Sequence, residues 1–69
     1  MSIIKALRLI EDVHEIIFEA GDPRAVRDLT DELISMNKDY SISEVRYACE
    51  YLENQYIFSY QGNDRYGLY

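Results

Sequence analysis

The chain has 69 residues, a formal net charge of −6 and a single cysteine, with 48% hydrophobic residues. One domain over residues 1–69 is what this length holds, and below roughly 70–80 residues a lone core supplies only a few kcal/mol of net stability. An internal disulfide is excluded, and His14 and Cys49 each stand alone, so no metal site and no cofactor are expected. A partner subunit or an unusually efficient core is left to supply the stability.

The N-terminal stretch is interrupted by charges before any apolar run reaches signal or membrane length. The unpaired cysteine suits a reducing compartment. The expected location is the cytoplasm, or a host cytoplasm if the protein is viral, with no membrane partner. The negative charge is spread evenly and no segment carries a basic run. Non-specific DNA affinity, which comes from phosphate neutralisation by Lys and Arg, starts at a disadvantage.

A first helix is predicted over about Ser2 to Ala20. Ile3, Ala6, Leu7, Leu9, Ile10, Val13, Ile16, Ile17 and Ala20 share about half its circumference, more than one buried face needs. Ile4 and Phe18 fall outside that half. Two readings fit the width. In one, Ile3, Leu7, Ile10 and His14 form a homodimer interface; in the other, the extra apolar residues cover a thin core. Arg8 can pair with Asp12 one turn on.

Gly21 is expected to end that helix. Asp22 as N-cap and Pro23 as first helical residue predict a second helix from there to about Met36. Its inward residues would be Ala25, Val26, Leu29, Leu33 and Met36. Asn37-Lys38-Asp39 reads as a polar turn. The third helix has the fullest local specification. Ser41 and Glu44 have capping-box spacing, and Tyr40 and Val45 can close a hydrophobic staple. Val45, Ala48, Cys49 and Leu52 continue a buried stripe to an end near Asn54-Gln55.

All seven tyrosines lie from Tyr40 onward. The last two runs, Tyr56–Tyr60 and Arg65–Tyr69, predict a β-hairpin turning at Gly62-Asn63. In that register Tyr60 faces Arg65, Phe58 faces Gly67, Ile57 faces Leu68 and Tyr56 faces Tyr69. Ile57 and Leu68 would then point to the core. The fold class is α+β, mostly α: three helices followed by a two-stranded C-terminal hairpin.

The spacing Ser41, Val45, Leu52, Ile57 with a hairpin after it resembles the third helix and wing of the winged helix-turn-helix superfamily. The preceding helices fit its first and second, so the likeness covers nearly the whole chain. The chain departs from the pattern in having Gln55 where the family often has Gly. It departs again at a wing tip, Gln61-Gly62-Asn63-Asp64, with only Arg65 beside it.

The resemblance implies a transcription regulator whose third helix enters the major groove. Ser43, Arg46, Tyr47 and Asn54 would then face the duplex, with Arg46 suited to guanine, Asn54 to adenine and Tyr47 to a phosphate. Lys38 and Arg65 would hold the backbone. Glu44 and Glu50 share that surface and oppose it. The plainer reading is a solvated helix face of mixed charge.

The alternative is a protein-binding domain, an adaptor or an inhibitor of a nucleic-acid machine, using Tyr47, Tyr51, Tyr56, Tyr60 and Tyr69. Tyrosine is enriched at interfaces, although half-buried structural tyrosines are as common in hairpins. Small acidic stand-alone domains of this composition are frequent among viral and mobile-element proteins. Catalysis is not expected. His14 and Cys49 read as packing residues, adjacent carboxylates as solvated, and no phosphate-binding loop is present.

Overall fold

The computed structural model describes residues 2–69. Three helices and a three-stranded antiparallel sheet follow in the order α1 (Ile3–Ala20), β1 (Arg24–Ala25), α2 (Val26–Ser35), α3 (Ile42–Asn54), β2 (Phe58–Gly62) and β3 (Arg65–Leu68). The class is α+β, mostly helical, as expected. The sheet has one strand more than the predicted pair.

The helix ends follow local chemistry. The Ser2 hydroxyl accepts a hydrogen bond from the Lys5 amide at 3.1 Å and opens α1. Gly21 closes it in the left-handed region, at φ 75°. Ser41 and Glu44 form the expected capping box of α3. Asn37, at φ 61°, turns the chain out of α2, with the Lys38 amide bonded to the Leu33 carbonyl and the Asn37 amide to that of Ile34. That is the helix-ending pattern in which Asn substitutes for glycine.

Asp22 and Pro23 do not start α2. The helix begins at Val26, and Ala25 occupies the cap position without a side-chain bond. Arg24 and Ala25 instead pair with Tyr66 and Arg65 as an added edge strand, giving the sheet order β1-β3-β2. The Val26 amide, which a side-chain cap would otherwise leave to water, donates to the Asp64 carbonyl at 2.9 Å. Pro23 lies against Gly67, where a Cβ would sit 3.0 Å from the proline ring. A contact with residues some forty positions later overrides the local helix signal.

The hairpin register is displaced by one residue from the expectation. Phe58 pairs with Leu68, Ser59 with Gly67 and Tyr60 with Tyr66. Gln61 is the extra residue of a bulge, and Gly62 pairs with Arg65 around a two-residue turn at Asn63-Asp64. Both turn residues have positive φ, 53° and 60°, a conformation Asn and Asp tolerate. The slip turns β2 over relative to β3. Phe58 takes the core position expected of Ile57, beside Tyr66; Ile57 is 37% exposed, and Leu68, on the same face of β3 as Tyr66, lies open at the end of the strand.

One core joins these elements. Leu9, Val13 and Ile17 of α1, Val26, Leu29 and Leu33 of α2, and Val45, Ala48, Cys49 and Leu52 of α3 meet Tyr40, Phe58 and Tyr66. The α3 stripe and the Tyr40–Val45 burial match the sequence reading. Met36 does not turn inward, and Ile3 and Leu7 lie on the surface. Among the described residues no helix is long and apolar enough to cross a membrane.

Candidate macromolecule-binding face

The inward stripe of α3 leaves Ser43, Tyr47, Glu50, Tyr51 and Asn54 exposed on its outer side. Three- and four-residue steps align Tyr47, Tyr51 and Asn54 as successive neighbours along the helix. Beyond Asn54 the row continues into Tyr56 and Tyr69, which with Glu53 and Asn54 line a shallow cleft. The two tyrosine rings meet edge-to-face, 6.0 Å apart and inclined at 82°. They are 75% and 78% exposed.

The backbone holds this pair in place at a cost. Tyr56 has φ 60°, in a region where a bulky residue is an outlier. It occupies the position just past α3 that glycine prefers. Its amide bonds to the Glu53 carbonyl at 2.9 Å, and that of Ile57 to the Leu52 carbonyl at 3.0 Å. The glycine-favouring site at this junction is therefore Tyr56, not Gln55. A side chain kept in a strained conformation and left in solvent is a functional indicator.

The basic candidates are distributed differently from the expectation. Arg46, the lone cation of α3, binds Asp64 in the hairpin turn, with Nη2 to Oδ2 at 2.6 Å and Nε to Oδ1 at 3.4 Å. That carboxylate holds the guanidinium pKa above its ordinary value. Lys38 pairs with Asp12 at 2.9 Å and lines the groove between α1 and α2 with Glu15, Glu19 and Glu32. The Asp12 hydrogen bond, opposed by partial burial, raises the Lys38 pKa. Lys38 is thus placed among carboxylates of another groove, not beside Arg46.

Lys5 reaches Glu44 at 3.9 Å, and Arg24 bonds Asp22 at 3.2 Å. Arg65 is exposed at the hairpin and makes no ion pair among the described residues. Glu44 accepts from the Ser41 amide at 2.9 Å. That bond first, and then Lys5, lowers the pKa of its carboxyl.

Tyr60 leaves the tyrosine row. Its ring lies 5.2 Å from that of Tyr66, and its hydroxyl accepts a hydrogen bond from the Asp64 amide at 3.1 Å. Tyr60 therefore ties down the hairpin turn. Tyr66 is buried, which pushes its phenol up to about 12. Burial likewise pushes the Cys49 thiol up to about 12, opposite to what a thiolate nucleophile requires. His14 packs its ring 6.1 Å from that of Phe58.

Three features escaped the sequence reading. In sequence Asp64 reads as a turn residue only, though an acid at the hairpin tip beside a helix with one arginine is a readable signal. The strain at Tyr56 has no local signature, because the residue type argues against it. Ile4 and Phe18 lie off the main apolar stripe, and their spacing with Leu7 is the signal of a second, exposed one.

The arrangement defines a small α+β domain in which a third helix runs directly into an antiparallel hairpin and presents a tyrosine-bearing outer face. Compared with protein-family models, curated proteins and solved structures, the chain matches none of them.

Proposed function

We propose that this chain is a non-catalytic recognition domain of winged-helix type that binds a protein partner through Tyr47, Tyr51, Tyr56 and Tyr69. The helix-to-hairpin junction, and the short strand β1 that completes the sheet, support the winged-helix reading. The observation that carries the partner class is the exposed Tyr56–Tyr69 pair, held by a strained backbone at the end of the α3 tyrosine row. Tyrosine supplies large amphipathic contact area at low entropic cost. Arg46, the cation of α3, is paired within the molecule, as is Lys5 beside Glu44, which weakens any phosphate-directed role.

The test is co-purification from the native host with a tagged chain, mass-spectrometric identification of the retained protein, and titration with that protein purified. Tyr51→Ala with Tyr56→Ala removes binding while the circular dichroism spectrum is kept. Undiminished affinity of that double variant for the purified partner rejects the tyrosine face.

DNA binding and transcriptional regulation form the second reading. Exposed Ser43, Tyr47 and Asn54 on α3, with Arg65 beside the hairpin turn making no ion pair among the described residues, favour it. It predicts duplex affinity that falls steeply with salt. It also predicts a gain in affinity on Asp64→Asn, which frees Arg46, and a loss on Arg46→Ala. Fluorescence anisotropy with duplexes from the neighbouring genome reads all three. No binding by either wild type or Asp64→Asn at low salt ends this reading.

A further inference from the structure

A second apolar stripe on α1 is left uncovered by the fold. Ile4, Leu7, Glu11, His14 and Phe18 recur at alternating steps of three and four, the spacing of a helix–helix seam. Leu7 is 55% and Phe18 67% exposed, and Ile3 and Ile4 lie open beside them. Ile10 and His14 sit half-buried at the border with the core.

The charges on this helix are segregated along its length. Lys5 and Arg8 occupy the first half, and Glu11, Asp12, Glu15 and Glu19 the second. Asp12 is occupied by Lys38 and not by Arg8, contrary to the sequence expectation. Arg8, Glu11, Glu15 and Glu19 make no ion pair among the described residues.

We propose that a second copy of this chain covers the stripe, α1 against α1 in antiparallel orientation, with the two-fold axis passing near Glu11. Residues equally distant from Glu11 then lie level. Ile4 meets Phe18 of the partner subunit, and Leu7 falls between His14 and Glu15 of the partner subunit. Arg8 reaches Glu15 of the partner subunit, and symmetry makes that ion pair twice. The parallel arrangement would set the basic first halves side by side and the acidic second halves side by side, so charge selects the antiparallel one. Glu11 faces its own copy at the axis, one helical turn from each Arg8. A chain this short gains from the added burial what a lone core supplies sparingly. The stripe and the α3 tyrosine row consist of different residues, so different variants test the two.

Sedimentation velocity and light scattering on the full chain are expected to show a dimer that dissociates on dilution. Leu7→Asp and Phe18→Asp yield monomers with an unchanged circular dichroism spectrum, because both side chains are exposed in the single subunit. Arg8→Glu or Glu15→Arg alone raises the dimer dissociation constant about tenfold, and the double exchange restores it. A monomeric wild type at its solubility limit overturns the proposal, as does a dimer indifferent to Leu7→Asp. Double-exchange protein that stays as weak as the single variants overturns the antiparallel register.

Discussion

Tyr56 shows how a single residue can reveal more than its type suggests. Left-handed backbone costs an L-residue roughly 1–2 kcal/mol, and glycine at the same place avoids it. Tyr56→Gly should therefore exceed Tyr56→Ala in stability by about 1 kcal/mol, since both lose the ring and only one relieves the backbone. Urea unfolding midpoints measure the difference, and equal midpoints would refute backbone strain at this position. Glu44 gives a second residue-level prediction. Its folded pKa lies below the ordinary value because the Ser41 amide, then Lys5, favours the carboxylate. A depressed carboxyl pKa contributes stability above the unfolded value, and the contribution disappears as pH falls through the folded value. The stability gap between wild type and Glu44→Gln should thus be present at neutral pH and close in acid. A gap that persists unchanged well below the carboxylate range would assign it to packing instead.

The elements differ in how far their residues announce them. Helix α3 was legible because its determinants are local: Ser41 and Glu44 bond each other across one turn, and Val45, Ala48, Cys49 and Leu52 face one way. The strand β1 was not, because two residues carry no periodicity and their partners Arg65 and Tyr66 lie at the other end of the chain. The hairpin was half legible. Its existence follows from β-rich runs around a turn, but its register depends on the bulge at Gln61 and on which ring the core accommodates. The core takes Phe58, which is fully buried, and one residue of slip turns Ile57 outward. The tyrosine row of the candidate site was readable on α3, whereas the Arg46–Asp64 pair joins residues 18 positions apart and needed the fold. Substitution tests the register directly. Phe58→Ala should cost about 3–5 kcal/mol and bring so small a domain close to unfolding. Ile57→Ala should cost less than ~1.5 kcal/mol, since its side chain is partly in water. The opposite order in thermal melts would restore the discarded register.

At the scale of the whole molecule, charge is the term that acts everywhere at once. Thirteen acidic residues face seven basic ones, and the domain measures only 26 × 23 × 20 Å. At ~0.01 M salt the screening length is about 30 Å, so every carboxylate interacts with every other; at ~0.15 M it is about 8 Å, and only neighbours do. Raising salt between these limits removes long-range repulsion and also weakens the four ion pairs among the described residues. Each pair has at least one exposed partner, Arg46 and Asp64 being 40% and 43% exposed and Asp12 the most covered at 16%, and pairs open to solvent contribute little. Self-repulsion of a compact acidic chain is therefore the larger effect. The melting temperature should rise as salt increases from ~0.01 to ~0.15 M. Salt that raises the melting temperature of the wild type should raise that of Asp64→Asn by less, because this variant carries one negative charge fewer. A melting temperature that falls with salt would mean that the ion pairs, Arg46–Asp64 foremost, hold the hairpin to α3 more strongly than their exposure allows.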